Sequence, residues 1–176
     1  MRKGGFTLVE LLIVIAIIGV LAGLVLVAVG GVTSRAKVAV AKTMIDNLRT
    51  SLTAYNSDVG YYPSGNAEND EGNINMVLAL FDVNEADGGK GGPNSPYFEF
   101  KESDLKPSKY AGTMQVLIDP WGSPYIYIRA RDDNGNLKDG IHNVHSYDLW
   151  SIGPNMVDDK GEKDKEDEKD DISNWQ

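Results

Sequence analysis

FTLVELLIVIAIIGVLAGLVLVAVGGVTS, residues Phe6 to Ser34, decides the reading of this chain. From Leu11 to Ser34 it holds 24 residues without a charge, and a helix crosses a bilayer with about 20 apolar residues. A secretory signal peptide has an apolar region of about 7–15 residues and then a small-residue cleavage site. This run is longer, and no Ala-x-Ala follows it. Ahead of it stands Met1-Arg2-Lys3-Gly4-Gly5, whose two cations would stay on the cytoplasmic side. A plain signal anchor would account for that much. Two details ask for more. A cut after Gly5 would remove both cations and make Phe6 the new N-terminus. Glu10 sits at the head of the run with no basic neighbour in sequence. A carboxylate at the centre of a membrane helix costs about 2.5–3.5 kcal/mol, and less near an interface. Glu10 therefore either snorkels at the membrane edge or pairs with a positive charge from another subunit, the freed Phe6 ammonium being the obvious one.

Outward from this run, no proline occurs before Pro63, so one helix is predicted from Phe6 to about Asp58. Its first half is apolar all round, as a span should be. In its second half Ala41, Ile45, Leu48, Leu52 and Tyr55 recur at helical spacing and form one stripe, with Arg35, Lys37, Lys42 and Arg49 mainly off it. That stripe should pack on a folded domain. Gly19-x-x-x-Gly23 is either a close-packing face between membrane helices or a chance pairing in a run rich in small residues. Gly30-Gly31 is a weak point of the helix, since each glycine costs about 1 kcal/mol relative to alanine.

The whole chain has 176 residues, room for one domain or two. Its 17 basic and 26 acidic residues give 17 − 26 = −9, which argues against nucleic acid as a partner because phosphate attraction needs clustered Lys and Arg. Cysteine is absent, which excludes a disulfide framework, thiolate metal sites and a cysteine nucleophile. The two histidines, His142 and His145, fall in a hairpin loop and read as surface residues. No nucleophile–base set stands out, so an enzyme is the least favoured class.

Beyond the helix, Gly60 and Pro63 are stop signals. Residues 64–75 read as a polar, turn-rich stretch, and Met76–Phe81 as one helical turn or two. Gly88–Pro93 is a glycine-rich loop without the Gly-Lys-Ser/Thr ending of a phosphate loop. Val116–Ile118 leads into Asp119-Pro-Trp-Gly-Ser-Pro-Tyr125, and Tyr125–Arg131 alternates as a half-buried strand does. Asn134-Gly135 and Asp139-Gly140 mark turns, and Ser146–Ile152 reads as the returning strand. Asp132, Asn134 and Asn136 mimic the start of an EF-hand loop, but the required glycine and the closing glutamate are missing.

Lys3-Gly-Gly-Phe-Thr-Leu-Val-Glu10-Leu-Leu12 resembles the class III leader of type IV pilins and type II secretion pseudopilins. Further landmarks resemble the major pseudopilins: Tyr55 with Asp58-x-Gly60-x-Tyr62-Pro63; Asp119, Pro120, Trp121, Gly122, Pro124 and Tyr125 in the pattern Asp-Pro-Trp-Gly-x-Pro-Tyr; Tyr147–Gly153; and Asp171-Ile-x-Asn174-Trp175. Residues 64–118 match poorly. The resemblance implies an α+β, pilin-like fold, with a long N-terminal helix packed on a small antiparallel sheet domain. It implies a leader over residues 1–5, a membrane and filament-core helix over 6–34, an amphipathic half over 35–58, a globular domain over 59–157 and an acidic segment over 158–176. It further implies cleavage by prepilin peptidase between Gly5 and Phe6, N-methylation of Phe6 and assembly directed by Phe6 and Glu10. The product would be a homopolymer that grows as a periplasmic filament from the inner membrane, alongside a secretion platform and minor pseudopilins, and drives protein export. The Asp119–Tyr125 motif is expected to fix a turn against the sheet. The alternatives are a type IV pilin for adhesion, motility or DNA uptake, disfavoured by the lack of a cysteine pair, and a membrane-anchored binding module.

Asp158–Asp171 holds nine acids and four lysines, net −5. Such mixed runs are usually solvated, yet Ile172-Ser-Asn-Trp175 follows, and a tryptophan there points to a segment pinned back. The resemblance implies calcium as the pin, bound by the Ile152 carbonyl, Asn155 and Asp171, with Asp170 or Ser173 nearby. Asn155 stands where the family usually has Asp, so Asp158 or Asp159 is a possible substitute.

Overall fold

A computed structural model describes residues 7–81, 96–158 and 170–175, the side chains of 24–32 excepted. It divides into two units, Met1–Ala36 and Lys37–Gln176.

Helix α1, Leu8–Val59, runs through both. In the first unit the described apolar side chains of residues 8–23 are exposed all round. Leu8, Val9, Leu11, Leu12, Ile15 and Val20 are each more than half exposed. Among the described residues no helix is long and apolar enough to cross a membrane. The span expected over 6–34 extends beyond them, because Phe6 and the side chains of 24–32 lie outside.

In the second unit the stripe read from the sequence is the core face. Ala41, Ile45, Leu48, Leu52 and Tyr55 are all buried, while Lys37, Lys42 and Arg49 are exposed, as is Arg35 in the first unit. Exposed Thr43, Thr50, Thr53 and Ser57 turn their hydroxyls onto carbonyls four residues back. The helix ends where its stop signals lie. Gly60 adopts φ 89° and its N–H donates to the Asn56 carbonyl at 2.8 Å.

Helix α2, Glu71–Phe81, begins five residues earlier than the apolar stretch that marks it in the sequence. Gly72 and Asn73 are weak helix formers, and tertiary contacts override them. A Cβ on Gly72 would lie 1.9 Å from the Tyr127 carbonyl oxygen, so only glycine lets the helix approach the neighbouring strand this closely. Asn73 is 2 % exposed. Its Nδ2 donates to the carbonyls of Leu117 (2.9 Å) and Tyr125 (2.7 Å), and its Oδ1 accepts from the Leu117 N–H (2.7 Å).

Strand β1, Leu105–Pro107, pairs antiparallel with β2, Gln115–Leu117. A second antiparallel sheet runs β3 (Ile126–Arg129), β4 (Tyr147–Ser151), β5 (Ile172–Ser173), with β4 in the middle. All five β4 residues are buried. The core joins the α1 stripe to Met76 and Leu80 of α2, Leu117 of β2 and Leu149 of β4, with buried Tyr125, Tyr127 and Tyr147. The arrangement is α+β with a helix on small antiparallel sheets, as the sequence implies.

Candidate functional site

The first expected site is the head of α1. Thr7 and Glu10 close a reciprocal cap. The Thr7 N–H and hydroxyl both donate to Glu10 Oε2, at 2.8 and 2.7 Å, and the Glu10 N–H donates to Thr7 Oγ1 at 3.3 Å. This is the capping box, in which two orphan donors at a helix start are satisfied. Its signal, Thr-x-x-Glu before an apolar run, stands in the sequence. Among the described residues Glu10 is therefore held by its own helix start. Gly5 and Phe6 lie outside the described residues, so the expected contact between Glu10 and the Phe6 amino group does too.

The Asp119–Tyr125 motif forms a tight turn. Asp119, 3 % exposed, accepts on Oδ1 from the N–H groups of Trp121 (3.0 Å) and Ser123 (2.9 Å). Gly122 takes φ 91°, which an L side chain rarely adopts. Pro124 bridges back to Ile118. Asp119 Oδ2 accepts from the Ser151 hydroxyl at 2.6 Å, and Ser151 Oγ accepts from the Gly153 N–H at 3.1 Å. The motif thus anchors the end of β4 and the loop that follows. Trp121 and Pro120 are half-buried, with Lys37 Nζ 6.0 Å from the Trp121 ring centroid.

That loop meets the C-terminal segment. The Asn155 N–H donates to Asp170 Oδ2 at 2.8 Å, and a Cβ on Gly153 (φ 67°) would lie 2.3 Å from the Asp170 carbonyl oxygen. Asp170 Oδ1 and Ser173 Oγ are buried without a hydrogen-bond partner. Burying such groups costs roughly 1–3 kcal/mol each, which an oxygen-seeking cation would offset. Asp171 is 6 % exposed. The structure thus brings Asn155 and Asp170 together, with Ser173 three residues further along the same segment, opposite Trp150. Asn155 Oδ1 accepts from the Val157 N–H at 2.6 Å, however, and Asp158 Oδ1 accepts from the Trp150 indole N–H at 3.0 Å, so both are already engaged. Ile152 is half-buried in the same loop, and Asp159 lies outside the described residues. Among the described residues no group of three His, Cys, Asp or Glu could hold a metal. The donors present are all oxygens with few charges, which fits calcium and not zinc.

The EF-hand mimic is not a site. The Asp132 carboxylate is spent on its own loop, accepting from the Asn134 and Asn136 N–H groups and from Asn136 Nδ2. These bonds, with the Asn136 side chain foremost, hold its carboxyl below the ordinary range.

His142 is exposed, as expected, and it is also part of a cluster. Asp148, 2 % exposed, accepts from the His142 N–H (2.8 Å), the Asn143 N–H (2.9 Å) and Asn143 Nδ2 (3.0 Å), and lies 3.1 Å from His142 Nδ1. The His142 ring stacks on Trp175 at 4.4 Å between centroids and 6° between planes, and Trp150 meets Trp175 edge-on at 5.6 Å. Residues 170–175 are pinned back onto the sheet, as the tryptophan implies.

The prokaryotic N-terminal methylation motif matches residues 1–26. Type II secretion system core protein G of Pseudomonas aeruginosa is 30% identical over 174 residues, covering 99% of this chain and 96% of that one. The protein of the same name from Escherichia coli K12 is 31% identical over 177 residues, covering 99% and 92%. A fimbrial protein of Neisseria meningitidis is 44% identical over 62 residues, 35% of this chain and 36% of its own length. Among solved structures, the major pseudopilin from the type 2 secretion system of enterohaemorrhagic E. coli aligns over 82% of this chain and 91% of its own, with a TM-score of 0.38 and 18% identity. Likeness to the fimbrial protein covers about a third of the chain, whereas likeness to core protein G runs through leader, helix, sheets and tail, and the chain belongs to the family of type II secretion system core protein G, the major pseudopilins.

Proposed function

We propose that this chain is a structural subunit, without catalytic activity, that polymerises into a periplasmic pseudopilus and so drives protein export by type II secretion. The observation that carries this is the similarity to core protein G along 99% of the chain. The exposed apolar head of α1 supports it, since an apolar surface of that kind needs lipid or other helices to cover it. The chain starts as a single-pass inner-membrane precursor spanning over residues 6–34. Prepilin peptidase cuts between Gly5 and Phe6, the new N-terminus is methylated, and Glu10 exchanges its Thr7 cap for the Phe6 ammonium of a neighbouring copy. Helices then leave the membrane for a filament core that is equally apolar, so the transfer is close to balanced. The inner-membrane platform and minor pseudopilins are the remaining partners. Calcium is held by Asp170, Ser173, Asn155 and Asp171 with the Ile152 carbonyl, and supplies the positive charge that neutralises the carboxylates and closes the C-terminal segment onto the sheet.

The test is the culture-supernatant proteome of a strain lacking this gene, beside its parent and a strain complemented with Glu10→Val. Loss of a set of folded exoproteins, restored by the parent gene only, is expected, with the Glu10→Val chain retained in the membrane without filaments. An unchanged supernatant would move the assignment to a surface pilus for attachment or DNA uptake. Normal filaments from Glu10→Val would overturn the role of Glu10.

A further inference from the structure

We infer that Asp148, His142 and Trp175 form a latch that positions the cation-binding residues of the C-terminal segment without touching the cation. This rests on the calcium reading above. The reasoning starts from β5. Two residues, Ile172 opposite Ser151 and Ser173 opposite Trp150, make too short a strand to hold itself against the entropy of the chain. It must be fixed from its flanks. One flank is Asp170, seated on Gly153 and the Asn155 N–H. The other is Asn174 with Trp175.

That second flank is built on Asp148. Its buried carboxylate fixes the backbone of His142 and Asn143 and sets the His142 ring. The Asn143 side chain, held by the same carboxylate, also donates to Asn174 Oδ1 (3.3 Å). Asn174 mimics a strand residue. Its N–H donates to the Leu149 carbonyl, its Oδ1 accepts from the Leu149 N–H and its Nδ2 donates to the Tyr147 carbonyl. The His142 ring is the floor on which Trp175 stacks, and Trp150 is the wall. Trp150 is also the register partner of Ser173, whose hydroxyl is buried and unbonded and which belongs to the same short strand that Asp170 leads into. The path from Asp148 through the stack to Ser173 is thus continuous packing and hydrogen bonding. Two sites that order the same short strand are coupled, and the coupling is reciprocal. Cation binding tightens the stack, and loosening the stack weakens the cation.

The experiment uses the full-length chain in detergent micelles, stripped with EGTA and titrated with calcium chloride by calorimetry, with His142 ring resonances followed by NMR. The parent chain should bind one calcium and shift the His142 signals, although His142 is not a ligand. Asp170→Ala should abolish both. Trp175→Ala should weaken calcium about tenfold or more, the effect typical of losing a residue that orients metal ligands, while Trp175→Phe, which keeps a stacking ring, should restore most of it. A merely structural Trp175 would lower the melting temperature in EGTA and leave the affinity of the folded protein unchanged. Calcium binding with equal affinity to parent and Trp175→Ala overturns the latch and leaves the cation reading standing, as do His142 signals that stay still in the parent, a readout that needs no variant to fold. Absence of calcium binding by the parent overturns both.

Discussion

The Asn73 side chain stands in for a missing piece of sheet, bridging α2 to β2 and to Tyr125 with three hydrogen bonds in a dry place. Asn73→Ala would take its partner from the buried Tyr125 carbonyl and Leu117 N–H, while the Leu117 carbonyl keeps the Tyr125 N–H at 3.0 Å. At roughly 1–3 kcal/mol for each unsatisfied group, partly relieved by rearrangement, a loss of about 3 kcal/mol is expected, seen as a lower urea midpoint at unchanged slope. Gly72, one residue earlier, is limited by space. Its Cβ would sit 1.9 Å from the Tyr127 oxygen and 2.7 Å from the Asn66 oxygen, against backbone that cannot swing aside. Gly72→Ala should exceed the usual overpacking cost of about 1–3 kcal/mol, and the second unit should lose its near-ultraviolet circular dichroism at room temperature. Neither role is legible in the sequence. Both residues are poor helix formers in a polar stretch, and what selects them is a strand that lies far along the chain.

At the scale of elements, burial of two tyrosines ties the sheets to pH. Burial raises the Tyr125 hydroxyl, with the nearby Asp119 and Asp104 charges adding to it, and burial likewise raises Tyr147. Unfolded tyrosine titrates near about 10. Because the folded values lie above that, the contribution to stability is complete below about pH 10 and is lost as pH climbs toward the folded values. Alkaline titration should therefore unfold the domain with tyrosinate absorbance and loss of near-ultraviolet signal in step, and Tyr125→Phe should move the transition upward. The elements also divide by how their sequence announces them. The α1 stripe obeys a helical period over four turns, and Asp119–Tyr125, β3 and β4 are bounded by strong turn residues, so all were readable. The β1 strand was not. It is three residues, Leu105-Lys106-Pro107, mostly exposed and ending in proline, which leaves no alternation to detect. The stack of His142 on Trp175 was half readable. The tryptophan marked a pinned tail, but nothing near His142 in sequence named Trp175 as the ring it stacks on, because the two meet only through the fold.

For the whole molecule, the proposed calcium should add to stability by mass action. A ligand at about 100 times its dissociation constant adds about 2.7 kcal/mol, and in a chain of this size each kcal/mol moves the melting temperature by about 2–4 °C. Chelation of the full-length chain in detergent should then lower the melting temperature by about 5–10 °C, with calcium but not magnesium restoring it, because Mg2+ holds its waters and demands stricter geometry. No shift by calorimetry would leave Asp170 Oδ1 and Ser173 Oγ without that explanation. The central strand β4 gives this loss a second meaning. All five of its residues are buried, and among the described residues one of its two edges is covered by the two residues of β5 and by Asn174. If β5 lifts away, an apolar strand edge lies open, which is a template for pairing with another chain. The same segment that completes the sheet therefore guards against amorphous aggregation, and the first symptom of a failed closure would be insoluble protein and not a slower export machine.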